Sequence, residues 1–155
     1  MEEEQLYLAL IGDMVASREL PDRKRAQQHL IEAIQQLNSR PELGMEALAA
    51  PLTLTAGDEV QALIRRPETT MTLIQELTDR FGGAGKFPVF VFGLGLGTLS
   101  TGLIPVGPGR LPNPAIEDGP CFHLARAALE AAKKERRWVR CMGFEPRVDT
   151  TLNAI

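Results

Sequence analysis

Three carboxylates stand where short apolar runs end. Asp13 closes LYLALIGD, while Asp58 and Glu59 interrupt LTLTAGDEVQALI, from Leu52 to Ile64. Residues of this kind suit a hard divalent cation. Magnesium is usually held by one or two carboxylates, with water and phosphate oxygens filling its other positions. Two such ions clamp the attacking and leaving oxygens in phosphoryl or nucleotidyl transfer. The stretch after Asp13 adds the opposite charge, with Ser17, Arg18, Arg23, Lys24 and Arg25 in SRELPDRKR. Three consecutive cations at a helix start oppose the helix dipole, which favours anions there. An anionic ligand resting on them accounts for the placement. Each motif also has a plain reading: Asp is a good turn residue, and a charge run is commonly a solvated helix face.

The elements that would position these residues follow from periodicity. Leu6 to Asp13 reads as a buried strand. Pro21 and Asp22 open a helix through Asn38, with Ala26, Leu30, Ala33, Ile34 and Leu37 on one face. Arg40 to Pro51 reads as a loop with one helical turn. A hairpin with Gly57, Asp58 and Glu59 as its loop pairs Ala56 with Val60, Leu54 with Ala62 and Leu52 with Ile64, giving one wholly apolar face. Thr53, Thr55 and Gln61 fall on the other face. Thr69 to Phe81 reads as a helix stopped by Gly82-Gly83, and Phe87 to Thr101 as a long strand region. A Pro/Gly-rich loop, Val106 to Pro120, leads into a helix begun by Asp118-Gly119-Pro120, and Trp138 to Met142 is a closing strand. That helix carries Cys121, Leu124, Ala125, Ala128 and Ala132 on its apolar face.

Strand, helix and hairpin in that order predict a split β-α-β arrangement, in which the first two strands run the same way. The end of the first strand then shares a sheet edge with the hairpin tip, so Asp13 and Asp58 should meet. In FGLGLG, alternate glycines within a strand pattern predict close backbone packing rather than a phosphate loop.

Composition narrows the class. A chain of 155 residues suits one domain with a real core, and a net charge of −3 makes no general case for nucleic-acid binding. Cys121 and Cys141 form neither a disulfide framework nor a zinc pattern, and thiols in a cytoplasmic protein account for them. MEEEQ lacks a signal-peptide layout. Phe87 to Gly109 is uncharged and long enough to span a bilayer, but its six glycines and three prolines argue against a lipid-facing helix. No membrane span is expected.

The series IGD, GDE on a hairpin, FGLGLGTLST and DGPCFHLARAAL resembles the class III nucleotide cyclases and their diguanylate cyclase relatives. More closely, IGDMVASRELPDRKRAQQHL, TAGDEVQALI and the DGP…AR segment resemble the SatD family of bacterial proteins, over most of the chain. The resemblance implies an α+β, ferredoxin-like palm domain: a mainly antiparallel sheet with helices on one face. It implies Mg2+ or Mn2+ at Asp13 and Asp58; the residues themselves extend the metal set to Glu59 and place phosphate contacts at Ser17, Arg18 and Arg23. Arg126 matches the cyclase arginine that stabilises transition-state charge. The cyclase asparagine that orients ribose falls on Phe122, which can offer a stacking surface but no hydrogen bond, and the purine-selecting pair has no match. The expected function is binding of a nucleotide or other phosphate ligand with diverged cyclase chemistry. The alternatives are a ligand-sensing and dimerisation domain of a bacterial transcriptional regulator, or a plain interaction module. A homodimer is expected, because the hairpin's second face carries Thr53, Thr55 and Gln61 and cyclase sites form between subunits. Fuller SatD members carry a helix-turn-helix beyond this domain, so nucleic acid is expected only through a region absent from this chain.

Overall fold

Alternation along the central strands decides what covers each side of the sheet. The computed structural model describes residues 5–14, 23–55, 59–81, 90–100, 119–145 and 153. Within them the chain runs β1 (Tyr7–Met14), α1 (Arg23–Ser39), a π-helical turn (Pro41–Met45), β2 (Leu48–Leu54), β3 (Glu59–Ile64), a 3-10 turn (Pro67–Thr69), α2 (Thr70–Phe81), β4 (Phe90–Gly97), α3 (Pro120–Glu135) and β5 (Val139–Met142). The five strands form one mixed sheet in the order β2-β3-β1-β4-β5. Only the β4–β5 pairing is parallel. Since β1 and β2 each pair antiparallel with β3, they run in the same direction with β3 between them, the split arrangement that the sequence predicts.

The two sides are packed differently. Even-numbered residues of β1, β3 and β4 (Leu8, Leu10, Val60, Ala62, Phe90, Phe92) join Leu30, Ile34 and Leu37 of α1 and Leu73, Ile74 and Leu77 of α2. Odd-numbered residues Ala9, Ile11, Leu63 and Val91 pack against Cys121, Ala125, Leu129 and Ala132 of α3. The expectation of helices on one face is therefore corrected: α1 and α2 share a face, and α3 covers the other.

Glycine explains why α3 fits there. A Cβ on Gly93 would stand 2.2 Å from the Ala125 carbonyl oxygen, and one on Gly95 would stand 2.2 Å from that of Cys121. The backbone of α3 thus rests directly on β4, as the alternate glycines predict. Cys121 and Cys141 are both buried as thiols. Among the described residues, no helix is long and apolar enough to cross a membrane.

The hairpin register is also corrected. Leu54 faces Val60 and Thr53 faces Gln61, with irregularities between Leu48 and Ala50 and between Ala50 and Thr53. The pairing has slipped by two residues from the expected one. A two-residue slip keeps every side chain on its own face, so the hydrophobic pattern fixes the register only to within a multiple of two. Pro51, which lacks an N–H, sits in the irregular part of this edge strand.

Asparagine side chains close both sheet edges. The Asn38 carboxamide donates to the Leu52 carbonyl at 2.9 Å and accepts from the Leu52 N–H at 2.9 Å. At the other edge Asn153 accepts from the Cys141 N–H at 2.8 Å and donates to the Cys141 carbonyl at 3.0 Å. Each amide acts as a one-residue neighbouring strand, which blunts an edge that could otherwise pair with another chain. Asn38→Ala or Asn153→Ala should each lower unfolding free energy by about 1–3 kcal/mol, because a backbone donor and acceptor lose their partners. Urea denaturation measures this, and a loss below about 0.5 kcal/mol would mean that water replaces the amide without cost.

Candidate functional site

Register brings the acidic residues together. Asp13, next to last in β1, lies directly opposite Glu59, the first residue of β3. Directly opposed residues in an antiparallel pair share a face, here the face that α3 covers. Glu59 is therefore not at a loop tip as expected: the Thr55 N–H donates to the Glu59 carbonyl at 2.8 Å, extending the ladder. Asp58, Ser17 and Arg18 lie outside the described residues, as does the side chain of Arg23, the first residue of α1.

The opposite charges come from α3, which runs back along β4 so that its C-terminal half reaches the ends of β1 and β3. Arg126 spans both oxygens of Glu59, with Nη1 donating to Oε2 at 2.6 Å and Nη2 to Oε1 at 2.5 Å. Gln61 donates from Nε2 to Glu59 Oε1 at 2.9 Å. Lys133 Nζ meets Asp13 Oδ2 at 2.5 Å. Two carboxylates and two cations thus balance within one half-buried cluster. The fork on Glu59 is the stronger contact, because a planar guanidinium matches a carboxylate oxygen for oxygen.

Burial raises the Glu59 carboxyl, but the Arg126 and Gln61 hydrogen bonds and the charges of Arg126 and Lys133 outweigh it and hold the group below the usual carboxylate range. The Glu59 hydrogen bond raises Arg126, against the lowering effect of burial. Burial lowers Lys133, and the hydrogen bond and charge of Asp13 more than reverse this. All three groups are charged at neutral pH.

Sequence reasoning singled out Asp13, Glu59 and Arg126, which the structure brings together, but missed Lys133. The signal was present: Lys133 follows Arg126 by seven residues, two helical turns along the same face. Phe122 is corrected as well. It is 8% exposed and packs in the cluster between α3 and the sheet, so it offers no stacking surface. Thr53, Thr55 and Gln61, on which the expected homodimer leaned, are hydrogen-bonded locally to Pro51 or Glu59.

Among the described residues, no group of three or more His, Cys, Asp and Glu gathers to hold a metal. Asp13 and Glu59 make a two-carboxylate set instead. That donor set fits a cation whose remaining positions are filled by water and phosphate. It does not fit one caged by protein alone.

The sequence model of the SatD family matches residues 7–140, a span that contains Asp13, Glu59, Arg126 and Lys133, and the chain belongs to this family. No curated protein matches it.

Proposed function

We propose that this SatD-family domain binds a nucleotide-type phosphate ligand together with Mg2+ or Mn2+, at the edge where β1, β3 and α3 meet. The observation that carries the reading is the balanced quartet Asp13–Lys133 and Glu59–Arg126. A cation arriving alone must displace Lys133 or Arg126 and leave a positive group unpaired, which is costly when partly buried. A phosphate arriving alone draws the cations away and leaves two carboxylates repelling each other. A cation–phosphate complex satisfies both halves. Asp13 and Glu59 would take the cation, while Lys133 and the Arg126 fork take phosphate oxygens. Asp58 would add a carboxylate in this reading, and Ser17, Arg18 and Arg23 further phosphate contacts.

The antiparallel order β2-β3-β1-β4, with α1 and α2 on one face, supports a ferredoxin-like, palm-type core to which α3 and β5 are added. The burial of Phe122 supports binding without cyclisation, because nothing at that position can hold a ribose hydroxyl in line. Binding without turnover also suits the ligand-sensing alternative; chromatography of ATP or GTP incubated with Mn2+ should show no cyclic product under either reading, and robust cyclic product would overturn both.

Calorimetry tests the exchange itself. Mg2+ alone and inorganic tripolyphosphate alone should each bind at least about tenfold more weakly than the two together. Asp13→Asn should weaken the combined binding. Equal affinity for Mg2+ with and without the phosphate would overturn the paired-exchange reading.

A further inference from the structure

We infer that the basic stretch joining α3 to β5, with Trp138 at its centre, binds single-stranded nucleic acid by stacking a base on the exposed indole. The surface is independent of the Asp13–Lys133 cluster, from which α3 separates it. Leu129 and Ala132 of α3 are buried against the sheet. Lys133 turns from that contact toward Asp13, whereas Glu135 turns the other way, toward Arg140 of β5. Val139 and Cys141 pack on the α1–α2 side, so Trp138 and Arg140 fall on the α3 side. The overall charge of −3 hides a local asymmetry here. From Lys134 to Arg140, KERRWVR holds four cations and one carboxylate within a chain that is acidic overall.

Backbone geometry sets the ring in place. The Arg137 N–H donates to the Ala132 carbonyl at 2.8 Å and the Arg136 N–H to the Lys133 carbonyl at 3.2 Å, with Arg136 at φ 55°. These bonds close α3 in a Schellman turn and lead the chain directly into β5. The Phe92 N–H then donates to the Trp138 carbonyl at 2.8 Å, holding the residue at the sheet while it stays 52% exposed. An indole left this open is uncommon, because tryptophan is highly buried on average. No apolar patch among the described residues accounts for it. The other large exposed hydrophobics are Leu6, Ile31 and Met71. Leu6 precedes Tyr7, which pairs with Gly97 at the far end of β4, and Ile31 and Met71 lie on α1 and α2, across the sheet.

Charge surrounds the ring instead. Glu135 lies 3.3 Å from Arg137 Nε and 3.6 Å from Arg140 Nε, so two guanidiniums share one carboxylate. Arg137 also donates to the Asn153 carbonyl. Among the described residues the buried Arg140 Nε has no hydrogen-bond acceptor, and Lys134 and Arg136 have no ion pair. Positive charge therefore exceeds what the protein neutralises, which suits a polyanion. An aromatic face beside such cations suits a polyanion whose phosphates alternate with flat bases. An acidic peptide would use the cations alone, and a membrane surface would call for further apolar side chains beside the ring.

Trp138 is the only tryptophan in the chain, so its emission reports on this position alone. The full chain is titrated with oligothymidylate or oligouridylate of about ten nucleotides, with a duplex of the same length, and with phosphatidylserine vesicles. Either single strand should quench the emission and bind more tightly than the duplex. Raising the salt from about 50 to 200 mM should weaken that binding at least about tenfold, as expected when about three phosphates are neutralised. Trp138→Ala should weaken single-strand binding at least about fivefold, and Trp138→Phe should keep most of it. Lys134→Gln combined with Arg136→Gln should flatten the salt dependence. Duplex binding equal to single-strand binding, with no loss in Trp138→Ala, would mean a surface of charge alone and overturn the stacking role. Failure of both single strands to bind, or tighter binding to the vesicles, would overturn the assignment to nucleic acid.

Discussion

Gly95→Ala is expected to destabilise the domain by about 2–4 kcal/mol, the upper part of the range for overpacking a filled interior. The added methyl would meet the Cys121 carbonyl oxygen at 2.2 Å and the Ala125 N at 2.3 Å. Both are helix backbone, which cannot swing aside as a side chain does. Restoring an ordinary carbon–oxygen separation requires α3 to retreat by about 1 Å. Gly93→Ala should behave alike, since its methyl would strike the Ala125 carbonyl oxygen at 2.2 Å and the Leu129 N at 2.4 Å. Gly97→Ala should cost less, because its nearest atom lies at 2.9 Å. Denaturant unfolding of the three variants checks this order. Values within about 0.5 kcal/mol of the unsubstituted protein at Gly93 and Gly95 would mean that α3 is not held against β4. The same retreat would draw Arg126 and Lys133 away from Glu59 and Asp13, so ligand binding should fall with stability in these two variants.

That packing also marks what could be read from the sequence. The glycines of FGLGLG announced a close backbone approach, but with glycine on every second residue the strand looked apolar on one side only. The expectation of helices on one face came from the cyclase resemblance, and nothing in this pattern corrects it. Apolar alternation counts side chains, and a face made of glycine and alanine has few to count. The hairpin shows a second limit. Leu54 opposite Val60 and Leu54 opposite Ala62 bury the same residues, so patterning located Glu59 one strand position away from its true role. The direction of the strands carried more weight than the loop. Because β1 and β2 run the same way, Asp13 had to meet the hairpin's tip under either register, and it meets Glu59. Lys133 was missed for a different reason. A lysine in a basic stretch at a helix end already has an adequate explanation in the dipole, and only the seven-residue spacing from Arg126 separates it from its neighbours.

Arg126→Met should abolish binding of the cation–phosphate ligand and also change how stability depends on pH. Methionine keeps much of the apolar stem but leaves the Glu59 carboxylate beneath α3 with Gln61, at 2.9 Å, and the Thr55 hydroxyl, at 3.5 Å, as its hydrogen-bond donors. In the unsubstituted protein the Glu59 carboxyl lies below its ordinary value, because its partners outweigh burial. A group of this kind adds stability above its unfolded pKa, about 4.3. That stability is lost as pH falls through the lower folded value. Without Arg126 the largest lowering influence is gone while burial remains, so the folded value rises and ionised Glu59 becomes a cost at neutral pH. The deficit of Arg126→Met should therefore be greatest from pH 6 to 8, about 1–2 kcal/mol after allowing for solvent screening of a partly exposed pair. It should shrink as pH falls below about 4. Adding Glu59→Gln to Arg126→Met removes the stranded charge, so the double variant should recover much of the deficit at neutral pH. Ligand binding should stay lost in both, since neither retains the guanidinium fork. Urea unfolding between pH 3 and 8, with calorimetry at pH 7, follows all three proteins. A deficit that stays constant to pH 3, or that persists in the double variant, would mean Arg126 contributes packing alone. Retained binding in either variant would remove it from the phosphate site.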